Sequence, residues 1–435
     1  MGLFRSFAIA VLIAVQVSFF LCPVVLSQNP SELMVDNDGA IERVVIQYST
    51  TFEKEILPTF MTFLKELHSD ISVTLVCETS QDADFMNSMI KIWGIIRPDR
   101  IDVRVFGKPI TVWARDRFAL RAFRDNDSVD AIILPILSED EDQDRVNDME
   151  VPGFIMAGKG VVTRSVTPGF FFEGGDMVST SRRIFVGRNT LNRFSGDEKE
   201  LMSIMRREFG RDVIMLGGRG SEELVCHIDL IFSSLDENRV VLGDPMLTRR
   251  LLNESFSGDV VDSMAIRETL DIMKVSGIRP EGSLQDAQIA YGVIRRQLDD
   301  LGYKVTALPV IHCVDEDEED YIITYCNVLL DYRDDGNYVY MPVYGLDRLD
   351  DYAESVFENL GFHVKRVDIS RLYQLGGTVR CVTNVMGRRL RRIQPATGRA
   401  IPVLPEVKSG GQSSVNGRGA DASLGYRENC GIGRG

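Results

Sequence analysis

The first hundred residues alternate between two hydrophobic periods, and this alternation constrains the fold more than any other feature of the chain. Residues 44–48 (Val-Val-Ile-Gln-Tyr) are a β-branched run of strand length. Across residues 52–67, Phe52, Ile56, Phe60, Phe63, Leu64 and Leu67 then recur at helical spacing. A strand at 73–76, a helix at 82–93 and a strand at 101–106 complete the series. Strand, helix, strand, helix, strand is the mark of an α/β fold, because each helix buries its apolar stripe on the sheet built by its flanking strands.

Further along, strands are expected at 131–137, 184–187, 213–216 and 240–243, with an amphipathic helix at 198–209. Residues 138–150 are acidic and read as a solvated loop. Between 247 and 301 the sequence turns helical, and Ser283-Leu-Gln-Asp286 fits the cap of a helix running through Leu298. Strands return at 304–308, 321–330 and 338–342, followed by a helix at 350–360 and a strand at 364–367. Strand-helix-strand units therefore recur along the chain without obvious sequence identity.

The termini read differently. Arg5 followed by the apolar run 7–26 and by Val25-Leu26-Ser27 has the form of an export signal over residues 1–27. The expectation is a secreted or periplasmic protein, held to a membrane only if that segment stays uncleaved. Residues 28–40 read as a polar linker, 41–393 as one catalytic domain, and 394–435, rich in Gly, Ser, Arg and Pro, as a disordered tail. Cys77, Cys226, Cys313, Cys326, Cys381 and Cys430 would remain after cleavage, with no Cys-x-x-Cys pair among them. The formal charge of −15 excludes the basic footprint of a nucleic-acid binder and favours cationic ligands.

Four short stretches carry candidate chemistry. Thr111-Val-Trp-Ala-Arg-Asp116-Arg-Phe-Ala-Leu120 holds three charges among large apolar residues. Gly169-Phe-Phe-Phe-Glu173-Gly-Gly-Asp176-Met-Val178 runs an apolar series into a carboxylate, which must find a partner if it is buried. Val225-Cys-His227-Ile-Asp229-Leu-Ile-Phe232 has the pattern of a strand, placing His227 and Asp229 on one face. Gln374-Leu-Gly-Gly-Thr-Val-Arg-Cys381-Val-Thr-Asn384-Val-Met386 sets a paired glycine before a lone cysteine. Taken singly, these are equally compatible with a surface ion-pair cluster, a glycine turn, a satisfied core pair and a core strand holding a buried thiol.

Taken in order, the set resembles the guanidine-modifying enzyme (pentein) superfamily, which includes arginine, agmatine and peptidylarginine deiminases. Trp113-Ala-Arg-Asp116 is similar to that family's Trp/Phe-x-Arg-Asp stretch and Phe172-Glu173-Gly-Gly-Asp176 to its Glu-Gly-Gly stretch. His227-Ile-Asp229 resembles its His-x-Asp, and Gly376-Gly-Thr-Val-Arg-Cys381 its terminal Gly-Gly-x-x-x-Cys segment. The resemblance spans residues 44–392 and implies a five-bladed α/β propeller of ββαβ-type units in a pseudo-five-fold arrangement. It also implies a hydrolase that cleaves a guanidine C–N bond through a cysteine thiolate and releases ammonia. Cys381 would be the nucleophile, His227 the proton carrier, Glu173 its support, and Asp116 and Asp229 the guanidinium clamp. A guanidinium is planar and permanently charged, so paired carboxylates suit it, and a soft thiolate suits its unreactive carbon.

No metal or cofactor follows from this scheme, and the acidic run 315–320 reads as a solvated loop. The substrate would be agmatine-like or a free or peptidyl arginine. Arg188 and Arg193 do not align with the carboxylate-gripping arginine of free-arginine deiminases. An amidinotransferase and a non-catalytic propeller that binds guanidinium or peptide ligands are the alternatives.

Overall fold

The computed structural model describes residues 31–123, 129–137, 141–157, 164–218, 227–253, 279–280, 284–314 and 320–389. The N-terminal apolar run, the tail, Cys22, Cys226, Cys430, Ser283 and residues 315–319 of the acidic run lie outside them. No helix among the described residues is long and apolar enough to cross a membrane.

One topological unit recurs in all five sheets that the described strands form: an antiparallel pair, then a parallel strand reached through helix. Leu329–Arg333 pairs antiparallel with Gly336–Val343, which the helix Asp347–Asn359 connects to its parallel neighbour Phe362–Asp368. Met177–Ser179, Arg183–Val186 and Asp212–Met215 repeat this around the helix Glu198–Phe209. Ala119–Phe123, Val129–Ile133 and Arg164–Val166 do so around two short helices, Gln143–Asp148 and Val151–Ala157. Phe232–Ser234, Arg239–Asp244 and Lys304–Val314 make the fourth set, with the helix Leu284–Asp300 preceding the third strand. The fifth joins the two ends of the described chain. Asn384–Arg389 pairs antiparallel with Ala40–Tyr48, which runs parallel to Ser72–Cys77 after the helix Glu53–Glu66.

The periodicities explain these elements. The helix Glu53–Glu66 buries Ile56, Phe60, Phe63 and Leu64, the stripe expected from spacing, in a core shared with its flanking strands and with Phe362–Asp368, to which Thr59 and Thr62 hydrogen-bond at Asp368. Threonine at 79 caps the next helix, Ser80–Ile92, in a reciprocal box with Asp82. The fold is mixed α/β, as the alternation requires.

Four expectations need correcting. Residues 31–40 are not a linker: Ser31–Leu33 pairs with Ala119–Phe123, and Leu33 and Val35 are buried. Polar composition misled here because Asn37 is buried too and Asp36 is largely covered, each with a partner. The acidic stretch 138–150 is not all solvated, since Gln143–Asp148 is a helix with Arg145, Asn147 and Asp148 buried. Asp148 accepts from the Thr111 amide at 3.0 Å and from Gln47 at 2.8 Å, and Asn147 donates to the Pro109 carbonyl at 2.8 Å. Residues 227–232 are not one strand: His227 caps a single helical turn, Ile228–Ile231, and the strand begins at Phe232. Likewise 321–330 divides into Asp320–Thr324 and Leu329–Arg333, which belong to different sheets.

Candidate active site

In each of the five sheets, the segment leading into the first strand of the unit delivers polar side chains. Asp116 precedes Ala119–Phe123, Glu173 precedes Met177–Ser179, and His227 with Asp229 precedes Phe232–Ser234. Asn327 precedes Leu329–Arg333, and Cys381 precedes Asn384–Arg389 on a turn, not within a strand. All of these are buried. The recurring topology is thus what draws together residues that lie far apart in sequence.

The imidazole of His227 is held between two carboxylates. Its Nε2 is 2.8 Å from Glu173 Oε2 and its Nδ1 is 3.9 Å from Asp116 Oδ1. Glu173 accepts from Arg145 at 2.6 Å through its other oxygen, which also lies 3.3 Å from Arg117. Arg145 sits 3.5 Å from Asp116 as well, so Asp116 and Glu173 share a cation. On the other side of the site, Asp229 lies 3.0 Å from Nε of Arg380, the residue just before the nucleophile candidate. The Cys381 thiol is 3.9 Å from Asn327 Oδ1, which also accepts from the Arg380 amide at 2.8 Å. Arg115 donates its amide to the Cys381 carbonyl at 3.2 Å, joining the first motif to the last.

Burial is the largest influence on every one of these groups, and the charges around each decide where it settles. It works against an imidazolium, yet Glu173 and Asp116 overcome it and hold His227 well above the usual histidine value. It would also raise Glu173, but His227 and Arg145 bring that carboxyl well below its usual range. Asp229 is pushed up to about 6 by burial, and Asp116 is raised in the same way. Burial, then Asp229 and Asp116, push the Cys381 thiol well above its usual value. The same two carboxylates therefore bear on both thiol and imidazole. At neutral pH the site holds a neutral thiol, an imidazolium and an ionised Glu173.

Three of the carboxylate oxygens have no hydrogen-bond donor among the described residues: Asp116 Oδ1 and both oxygens of Asp229. The guanidinium of Arg380 is close to Asp229 but lacks the alignment of a hydrogen bond. A buried carboxylate without donors is costly, so such oxygens point to a ligand that supplies N–H groups and positive charge.

The paired glycines have a steric cause. A Cβ on Gly175 would lie 2.4 Å from His227 Nδ1, and one on Gly377 would lie 2.1 Å from the Trp113 ring. Gly175 therefore lies directly against the imidazole, and Gly377 lets Trp113 pack against the turn bearing Cys381. Gly175→Ala would force His227 off Glu173, and we expect the imidazole to titrate at lower pH with the melting temperature nearly unchanged. An NMR titration of the imidazole and a thermal melt on the same preparation check this, and an unchanged titration would remove the steric argument.

The structure brings Asp116, Glu173, His227, Asp229 and Cys381 into one buried cluster. It adds Arg145, Asn327, Arg115 and Arg380, which the sequence reading passed over. Arg115 and Arg380 were visible as direct neighbours of Asp116 and Cys381. Asn327 has a signal only by analogy, at the entry of the one unit without a motif. Arg145 lay inside the stretch read as a solvated loop. Arg193 is exposed and stacks on Phe171 at 4.4 Å from the ring centroid, while Arg188 pairs with Glu198 at 3.6 Å.

No protein-family model matches the chain, and no curated protein matches it. Solved structures do. An agmatine deiminase from C. jejuni superposes with a TM-score of 0.60 at 14% identity, over 82% of this chain and 97% of that one. An agmatine deiminase of Enterococcus faecalis gives 0.56 at 14% identity, over 84% and 99%. At such identity the likeness is one of fold, the fold that these agmatine deiminases have.

Proposed function

We propose that this protein is a guanidine hydrolase, a deiminase of an agmatine-like or arginyl substrate, acting through Cys381. The observation that carries the reading is the set of donor-free oxygens on Asp116 and Asp229, buried beside a thiol and an imidazolium. A guanidinium offers planar N–H pairs and one positive charge, which is what those oxygens lack. We also read the five sheets, with their repeated unit and joined ends, as the blades of a propeller, and the protein as exported.

The chemistry follows from the charges. The free thiol is neutral because it is buried and two carboxylates, Asp229 and Asp116, face it. A bound guanidinium offsets them, lowers the thiol pKa and makes the thiolate available as it arrives. The thiolate adds to the guanidinium carbon, forming a C–S bond and a tetrahedral adduct. His227, held protonated by Glu173, gives its proton to the departing nitrogen, and ammonia leaves as the C–N bond breaks. The neutral imidazole then takes a proton from water, which adds to the S-linked amidino carbon. Collapse expels the thiolate and leaves a ureido group in place of the guanidine. The balance is guanidinium plus water to urea plus ammonium.

Ammonia release from agmatine, arginine and an N-acylated arginine amide tests this, together with product mass. Hydrolysis raises the product mass by about one dalton as =NH becomes =O. An amidinotransferase would instead pass the amidino group to an added amine without releasing ammonia. Binding with neither product would leave the non-catalytic reading.

A further inference from the structure

Asp36 stands outside all four motifs, on the stretch between Ser31–Leu33 and Ala40–Tyr48. It is nevertheless tied into the site from several sides. Its Oδ2 lies 2.9 Å from Arg380 Nη2 and accepts from the Ser179 amide at 2.7 Å. Its Oδ1 lies 3.5 Å from Arg115 Nη2, and its own amide donates to the Ser179 carbonyl at 2.8 Å. The two arginines converge again on one acceptor, the Met177 carbonyl, at 3.3 Å from Arg115 and 3.1 Å from Arg380. Arg115 also donates to the Gly174 carbonyl at 3.1 Å. Arg115 precedes Asp116, and Arg380 precedes Cys381.

We propose that Asp36 is a positioning residue for the reaction: it anchors Arg115 and Arg380, and through them sets where Asp116 and Cys381 stand relative to each other. The same carboxylate competes with Asp229 for Arg380, whose Nε faces Asp229 while its Nη2 faces Asp36. Shared between two acids, Arg380 leaves the Asp229 oxygens without an aligned donor and open to a substrate guanidinium. Without Asp36, its charge would fall on Asp229 alone. The Asp36 carboxyl is ionised: burial opposes this, but Arg380 and Arg115 bring it below its usual range.

This proposal rests on the hydrolase reading, so its test has a readout that needs no substrate. Full-length wild type, Asp36→Asn and Arg380→Gln are compared by ammonia release and by the pH dependence of Cys381 alkylation with iodoacetamide, followed on the Cys381 peptide by mass. In Asp36→Asn, kcat/KM should fall about 100-fold, as expected for a sub-ångström misplacement of the reacting groups. Its alkylation profile should shift to lower pH by about one unit, because a negative charge is lost and Arg380 neutralises Asp229. In Arg380→Gln the profile should move to higher pH, with turnover again reduced. A folded Asp36→Asn with wild-type turnover and alkylation would overturn the proposal. So would wild-type turnover in Arg380→Gln, or an Asp36→Asn chain that does not fold, which would make Asp36 purely structural. Absence of hydrolysis by the wild type would defeat the hydrolase reading alone, since the alkylation shifts would still report on Asp36.

Discussion

Serine in place of Cys381 should stop ammonia release, by at least about 10³-fold, while the melting temperature and the affinity for a guanidinium ligand stay close to wild type. The size of the loss follows from the surroundings of Cys381. Burial, then Asp229 and Asp116, already raise the thiol well above its usual value. A hydroxyl starts far less acidic, so the single positive charge of a bound guanidinium cannot yield a useful fraction of alkoxide. Structure should survive because serine is nearly isosteric. The neighbouring turn is also held by other bonds: Asn327 Oδ1 accepts the Arg380 amide at 2.8 Å, and Thr383 Oγ1 donates to the Val379 carbonyl at 2.9 Å. Calorimetric titration of agmatine into the variant, beside the ammonia assay, separates binding from chemistry. Turnover above a few hundredths of wild type would place the chemistry elsewhere and remove Cys381 from it.

How much of this was legible in the sequence depends on the period of each element. The helix Glu53–Glu66 was readable because it buries one stripe at helical spacing, and the strands Ala40–Tyr48 and Ser72–Cys77 because they are buried on both faces and so read as short continuous apolar runs. Residues 31–40 and 143–148 were missed for the opposite reason. Beside Leu33 and Val35, what these stretches bury is Asn37, Arg145, Asn147 and Asp148, with Asp36 largely covered, and partners many residues away license that burial. No local pattern announces such partners. Arg145 looks solvated until Glu173 and Asp116 are placed beside it.

The His-x-Asp stretch failed in an instructive way. Alternation over residues 225–232 suits a strand, yet His227 and Asp229 sit at the start of one helical turn. The wrong element still left the two side chains beside one another: Asp229 bears on the His227 imidazole and on the Cys381 thiol alike. Motif order identified which residues meet, while the geometry that brings them together came from the repeated unit. Five entry segments, each before the first strand of its sheet, supply the cluster, and Asn327 became recognisable only once that repetition was seen.

Asp229→Asn should separate stability, nucleophile acidity and turnover in three different directions. Turnover should fall about 10²–10³-fold, since truncating one member of a buried charge pair costs about 2–5 kcal/mol and the bound guanidinium loses half its clamp. Cys381 should become easier to alkylate at a given pH, because Asp229 heads the charges that raise its thiol. A better nucleophile in a slower enzyme is a result that general damage would not give. The pH profile supplies a further sign. Asp229 is raised to about 6, so wild-type kcat/KM should climb through an acidic limb near that value as the carboxyl ionises, and the variant should lose the limb. Linkage fixes the stability change. A carboxyl with a raised folded pKa favours the folded state most below its unfolded value of about 3.9, and that contribution is lost as pH rises through about 6. At pH 7 the ionised, donor-free Asp229 therefore costs the fold on the order of 2–4 kcal/mol, with the pull of Arg380 already included. Asparagine, with its amide oxygen toward Arg380, removes that cost. The variant should melt at or above the wild-type temperature at pH 7, and the difference should vanish towards pH 4. A variant destabilised at pH 7, or one whose thiol becomes harder to alkylate, would show that Asp229 is a structural acid satisfied by Arg380 and not a place kept for a substrate cation.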